Sequence, residues 1–367
     1  MNVALVILHA DPAKGGAETY TVDLAAALAG RGHAVSVLAA SFAGGLDPRV
    51  ARVPLPHAGP TRLARYLRFL GGLDAHLAAH SGGGSAAAPA GSGEGVRYDV
   101  VHAMLPVRRC DLYHPHAGIA AEAVAAGHLK HDSPVLRAAA RLANRVNLKR
   151  RRFAAVERTL LMPAAESPAA PPRVPEHRAS IRQGPVVLCL SDYIKATVRR
   201  HYPLADGRLA TLINAVDLTK FDPAAARAAG RDVRARHGVR PDQVVALIVA
   251  QDFARKGLRE AVEAWKLVAD ERLVLMVVGK DDFGPYARLA ADAPHPANLV
   301  HAGATRDVRP YYAAADLFVL PTRHDPCSLV VLEALAMGLP VISTRFNGAC
   351  EVMADGAHGF VLPDPGD

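Results

Sequence analysis

The sequence predicts an α/β protein built from two doubly wound, parallel-sheet domains. At 367 residues the chain exceeds what one hydrophobic core normally serves. Half of its residues are apolar and 21% are charged, enough to bury two cores and too apolar for global disorder. Short apolar strands alternate with helical segments in two successive blocks, the pattern of parallel sheets with crossover helices. Two such blocks imply a cleft between them.

The first block opens with an apolar strand at Val3–Leu8, followed by a Gly turn and a helix from about Ala17 to Arg31. Strands follow at Ala34–Ala39, Asp99–Ala103, Val186–Leu190 and Leu209–Ile213. The second block has a strand at Val244–Val249, a helix at Leu258–Ala269, and strands at Leu273–Val278, Leu299–Val300, Leu317–Leu320 and Pro340–Ser343, with a strand-like Gly359–Pro363. Domains are therefore expected at 1–217 and 218–367. Residues 80–95 are rich in Gly, Ser and Ala and residues 163–182 in Pro, so both read as flexible insertions without chemistry.

No apolar run approaches the roughly 20 residues of a spanning helix. The start, MNVALVILHADPAKGG, lacks a basic n-region and reads as a first strand rather than a signal peptide, so the expected location is the cytoplasm. Cys110, Cys189, Cys327 and Cys350 have no metal or redox spacing and are expected to be reduced, buried thiols.

The most informative stretch is Pro321–Thr344. The strand Leu317–Leu320 runs into a polar loop, and Ser328 then opens a helix with Leu329, Val330, Leu332 and Leu335 at core-facing spacing. Asp325 falls before that helix, at the carboxyl end of the strand where open α/β sheets bind ligands, and Glu333 falls about two turns in. The amides of Ser328, Leu329 and Val330 make an anion site. Phosphates on the amides and hydroxyls on the acids suit a nucleotide-sugar. A helix with two ordinary surface acids is the alternative.

Arg255 and Lys256 follow the strand Val244–Val249 and precede Gly257, where two cations would neutralise a diphosphate. Their alternative is a solvated basic turn. Gly15 and Gly16 turn the first strand into its helix with little bulk, although the third Gly of a dinucleotide fingerprint is missing. Gly279, directly after Leu273–Val278, joins these donor-side candidates.

Asp325, seven residues, then Glu333 resembles the nucleotide-binding signature of retaining GT-B glycosyltransferases of family 4 (glycosyl transferases group 1). The segments DFARKG (252–257), Cys110–Val124, Phe153–Leu161 and Leu188–Pro203 resemble its lipopolysaccharide core glucosyltransferase I branch. The chain departs from the pattern with Asp325 where Glu is usual, Gln251 where Arg is usual, and Ala215 and Ser328 where Gly is usual. The resemblance implies that Glu333 holds the ribose hydroxyls, that Asp325 contacts the donor sugar, and that Asp111 and His116 serve the reacting sugars. It implies transfer of a hexose, glucose first, from a nucleoside diphosphate sugar (a UDP-sugar) to a glycolipid or lipopolysaccharide core, with retention, no cofactor and no metal. In the family the departing diphosphate takes the acceptor proton. Members continue beyond the equivalent of Asp367 with helices bracing the first domain, so the brace is expected to be missing and the second domain incomplete. A nucleotide-sugar 2-epimerase of the same fold and a non-catalytic glycan- or membrane-binding protein remain the alternatives.

The net charge is +8. Arg137, Arg141, Arg145 and Lys149 recur every fourth residue, and Arg150, Arg151, Arg152 and Arg158 add to them. With Leu136, Leu142, Val146 and Leu148 between, the region Arg137–Arg152 reads as a helix lying on an anionic membrane surface, with a solvated basic face as the alternative. Interleaved aromatics are nearly absent, which argues against nucleic acid. The protein is thus expected on the inner face of the cytoplasmic membrane.

Overall fold

A computed structural model describes residues 1–80, 97–125, 138–140, 142–143, 147–163 and 184–367. Apart from His80 and Pro163, the two expected insertions lie outside the described residues, as do Arg137, Arg141 and Arg145. By Cα proximity the chain divides into two units: Met1–Leu190 with Ile194–Leu212, and Ser191–Tyr193 with Ile213–Asp367.

In the first unit the strands are β1 Asn2–Val6, β2 His9–Ala10, β3 Ala34–Ala39, β4 Ser41–Phe42, β5 Ala51–Pro54, β6 Val100–Ala103, β7 Leu112–Tyr113, β8 Val186–Cys189 and β9 Leu209–Thr211. Seven of them form one sheet in the order β5-β3-β1-β6-β7-β8-β9, every pair parallel. β2 and β4 form a separate parallel pair. Residues Val3 to Val6 of β1 are all buried, which is why this strand reads as a continuous apolar run rather than an alternating one. The helix Gly16–Gly30 follows, and Thr61 caps the helix Arg62–Ala79 by accepting from the Ala64 amide at 3.0 Å. That second helix buries Tyr66, Phe69, Leu70, Leu73 and Leu77, a 3.6-period stripe.

The second unit contains β10 Val244–Val249, β11 Leu273–Val278, β12 Leu299–Gly303, β13 Leu317–Leu320, β14 Val341–Thr344 and β15 Gly359–Leu362. They make one parallel sheet in the order β12-β11-β10-β13-β14-β15. The order reverses between β10 and β13, and at such a switch point the carboxyl ends of neighbouring strands diverge and leave a crevice. The turn 250–257 leaves β10 there, and the loop 321–328 leaves β13. The helix Leu258–Val268 packs Leu258, Ala261, Val262 and Trp265 inward, so the turn before it is anchored on the core.

Candidate active site

Gly257 fixes the turn after β10. Its φ is +81°, and a Cβ there would stand 2.0 Å from the Pro321 carbonyl oxygen at the end of β13, so only glycine fits both demands. The Arg255 carbonyl accepts from the Arg323 amide at 3.2 Å and from Thr322 Oγ1 at 3.1 Å, tying the turn to the second loop. In return the Arg255 guanidinium donates to the His324 carbonyl at 3.0 Å, with Asp252 Oδ2 at 3.4 Å. Lys256 Nζ pairs with Asp325 Oδ2, and Arg323 pairs with Glu260 alongside.

The Lys256 and Asp325 side chains are only 13% and 8% exposed, so this is a desolvated pair. Burial alone pushes the Asp325 carboxyl up, but the charges of Lys256 and Arg255 and the Lys256 hydrogen bond together hold it below its ordinary value. The main chain fixes it too: the Asp325 amide donates to Phe346 O at 2.9 Å and its carbonyl accepts from the Gly348 amide at 3.0 Å.

Ser328 is the N-cap of the helix Leu329–Ala336, but the expectation that its amide is free for an anion is corrected. Its amide is already committed to Asn347 Oδ1 at 3.2 Å, because the loop after β14 crosses directly beneath the helix start. Its hydroxyl makes no cap bond and is buried without a partner. Leu329 and Val330 N–H groups thus head the helix, ahead of the Val331 and Leu332 amides that bond Ser328 O. The core-facing stripe is Val331, Leu332 and Ala334, whereas Leu329, Val330 and Leu335 are half-buried, because both faces of this short helix meet protein.

Glu333 is the fifth residue of that helix, and its Oε2 accepts from the hydroxyl of fully buried Tyr312 at 2.8 Å. Burial pushes this carboxyl above its ordinary value, and the Tyr312 bond and Lys220 charge only partly oppose it. Gly279 has a packing role: a Cβ there would lie 2.0 Å from Ala250 O, so its absence lets the ends of β10 and β11 close up.

The remaining candidates belong to the first unit. Gly15 is extended, and Gly16 begins the helix Gly16–Gly30. Asp111 is not brought to His116. Its carboxylate accepts from the Val101 amide at 2.7 Å and its own amide donates to Val101 O, so it pins β6 at the amino end of β7. His114 and His116 follow the carboxyl end of β7, where they form a cluster with His102 and Tyr20. His102 Nε2 and His114 Nδ1 are 3.3 Å apart, and the Tyr20 ring centroid is 4.5 Å from that of His116. Burial, assisted by the neighbouring imidazoles, pushes His114 down to about 2 and His116 to about 3, and burial takes His102 to about 4. All three imidazoles are therefore neutral at pH 7, and Nε2 of His114 and of His116 is buried without a hydrogen-bond partner.

Sequence reasoning missed three supports. Glu157 is fully buried in the helix Leu148–Leu161 and accepts from Tyr113 OH (2.7 Å), Tyr202 OH (2.9 Å) and the amides of Ala120 (3.0 Å) and Ala121 (3.1 Å), clamping both ends of the loop that carries His114 and His116. Asn347 and Gly348 hold the site loop, and a Cβ on Gly348 would fall 2.1 Å from Pro326 O. The Asn-Gly dipeptide after a strand is a readable turn signal; Glu157 carries none, since its partners are remote in sequence. None of the four cysteines is in a disulfide, and all four are buried. Among the described residues no cluster of three or more His, Cys, Asp or Glu is arranged to hold a metal ion.

Two Rossmann-like units of parallel sheet are the architecture of GT-B proteins. The chain belongs to glycosyltransferase family 4: the model "Glycosyltransferase Family 4" matches residues 14–220 and "Glycosyl transferases group 1" matches residues 243–367. It is 32% identical over 135 residues to the lipopolysaccharide glucosyltransferase WaaG of Escherichia coli, covering 36% of each chain. It is 34% identical over 134 residues to the lipopolysaccharide core biosynthesis glycosyltransferase LpsE of Rhizobium meliloti, covering 36% of this chain and 39% of that one. The match thus spans well under half the length of these relatives. In fold it is similar to the crystal structure of WaaG (TM-score 0.72, 22% identity, 95% of this chain and 82% of that one). It is likewise similar to Anabaena HepE in complex with UDP-glucose (TM-score 0.63, 17% identity, 100% of this chain and 87% of that one).

Proposed function

We propose that the protein transfers a hexose, glucose first, from a nucleoside diphosphate sugar to a sugar hydroxyl of a glycolipid or lipopolysaccharide core, with the anomeric configuration retained. The observation that carries this reading is the buried Lys256–Asp325 pair at the β10/β13 switch point, beside the helix start at Leu329 and Val330 and on the same loop-helix unit as Glu333. Names of relatives support it: WaaG is a lipopolysaccharide glucosyltransferase, and HepE was crystallised with UDP-glucose.

In this mechanism Arg255 and Lys256 oppose the charge that develops on the departing diphosphate, and the Leu329 and Val330 amides hold a phosphate oxygen. Glu333 accepts from the ribose hydroxyls, and Asp325 contacts the donor sugar while orienting Lys256. His116, a neutral imidazole, hydrogen-bonds a sugar hydroxyl through the Nε2 that lacks a protein partner. The acceptor proton leaves with the diphosphate oxygen on the same face, so no protein nucleophile is required. Cationic side chains and helix amides do the work that a metal ion does elsewhere, and the reaction is proposed to be metal-independent.

The acceptor's lipid would bring the protein to the inner face of the cytoplasmic membrane. Arg151, Arg152 and Leu148 are exposed on the helix Leu148–Leu161, in keeping with a basic face toward anionic lipid. Among the described residues no helix is long and apolar enough to cross a membrane.

Isothermal titration with UDP-glucose, GDP-mannose and ADP-glucose tests the donor site. One donor should bind, and Glu333→Ala and Lys256→Ala should each abolish that binding. Failure of all three donors to bind folded protein would remove the assignment.

A further inference from the structure

A second site lies in the first unit, at the carboxyl edge of its sheet. Leu8 and His9 follow β1 and His57 follows β5, the strand ends at which open parallel sheets receive ligands. Together with the start of the helix Arg62–Ala79 they enclose a cavity of about 250 Å³. That is smaller than the roughly 300 Å³ at which drug-sized sites begin, and it suits a single sugar better than a nucleotide.

Besides Leu8, His9 and His57 the lining brings three cations, Arg62, Arg65 and Lys149, together with Tyr66 and Phe153, and Lys149 Nζ lies 5.3 Å over the Phe153 ring. Arg62 and Arg65 come from the first turn of the helix, where the N-terminal dipole adds positive potential, and Lys149 comes from the helix Leu148–Leu161. Among the described residues no carboxylate lines the cavity and none pairs with these three cations. Arg65 Nε is buried without any hydrogen-bond partner. Burial and the charges of Arg62 and Arg150 push the Lys149 ammonium down, as expected where cations crowd without a counter-charge. Tyr66 is stacked on Phe153, ring centroids 4.0 Å apart at 20°, and the Tyr66 hydroxyl is already spent on Pro106 O at 2.6 Å.

We propose that this cavity binds a phosphate monoester carried by a small sugar, the phosphate held by Arg62, Arg65 and Lys149 and the sugar occupying the rest of the cavity toward Leu8, His9 and His57. The inference rests on the glycosyltransferase reading only in assigning that sugar phosphate to the acceptor; the binding itself does not depend on it. A guanidinium fork matches phosphate oxygens in pairs, which a lone ammonium cannot do.

The test is isothermal titration of the full chain with glucose 6-phosphate, glucose, inorganic phosphate and UDP-glucose, repeated on Arg62→Gln and Arg65→Gln. Glucose 6-phosphate should bind saturably and at least about tenfold more tightly than glucose, inorganic phosphate should compete, and each substitution should weaken binding by about tenfold. UDP-glucose binding should be unchanged in both variants, so loss of donor binding in the parent protein would count against the donor site and not against this one. If Arg65→Gln fails to fold, Arg62→Gln, at an exposed position, decides. Equal binding of glucose and glucose 6-phosphate, or undiminished binding in the folded variants, overturns the proposal. Sedimentation with phosphatidylglycerol vesicles separates the other source of phosphate: variants that lose the vesicles yet keep glucose 6-phosphate assign these cations to the lipid surface and also overturn it.

Discussion

Lys256 and Asp325 stand 69 residues apart in sequence and meet as a desolvated ion pair that joins the two loops leaving β10 and β13. Removing one partner strands the other. Lys256→Ala should therefore cost about 3–5 kcal/mol of folding stability, since an uncompensated buried carboxylate is left behind. Lys256→Met combined with Asp325→Leu should recover most of that loss and still bind no nucleotide-sugar. Urea denaturation beside donor titration separates the two roles; a Lys256→Ala protein as stable as the parent would refute the pairing.

The histidine cluster makes stability depend on mild acid. His102, His114 and His116 sit in the fold at about 4, 2 and 3, below the 6.5 of an unfolded histidine. The unfolded chain therefore takes up protons below pH 6.5 that the native state refuses, so stability is complete above that pH and declines as pH falls toward 4. Each buried ring should cost about 2 kcal/mol at pH 5 relative to pH 7.5. The urea midpoint should drop between those pH values, and His102→Gln should flatten the drop. Ring proton resonances that all titrate near 6.5 would contradict this.

What the sequence could show follows from how local each feature is. β10, β11 and β13 read correctly to the residue because both sheet faces are covered and the apolar run is unbroken. β5 was missed because Arg52 and Pro54 interrupt its pattern, and β7 because two residues carry no period. Spacing puts Asp325 and Glu333 around one helix start and Arg255 and Lys256 at one strand end, but it cannot show the commitment of the Ser328 amide to Asn347, which is made across 19 residues by a loop from the next strand. Asp111 was misjudged for a similar reason: whether an acid before a short strand faces a ligand or a neighbouring backbone is settled by sheet order, and here β6 takes it.

Glu157 should be among the most sensitive positions in the first unit. Two tyrosine hydroxyls and two amides donate to its carboxylate. Glu157→Ala leaves these donors without a partner in a buried site, with an expected loss of about 3–5 kcal/mol. Glu157→Gln keeps an acceptor oxygen and should lose less. Because the network clamps the His114–His116 loop, the Ala variant should also restore ordinary titration to His116, read by NMR. An Ala variant with unshifted His116 resonances would mean the loop is held elsewhere.

Gly257 and Gly303 offer a controlled pair for the donor turn. Both have positive φ, +81° and +73°, so Ala at either should cost about 1–3 kcal/mol in backbone strain. Only Gly257 also faces a wall, with the Pro321 carbonyl 2.0 Å from an added Cβ, while nothing lies within 4 Å at Gly303. Gly257→Ala must then displace the turn that carries Arg255 and Lys256, and it should weaken nucleotide-sugar binding by more than about tenfold, a loss of about 1.4 kcal/mol or more. Gly303→Ala should lose stability and keep donor affinity. Equal donor affinity in the two variants would show that the approach of the β10 turn to the β13 end does not set the geometry of the cationic pair.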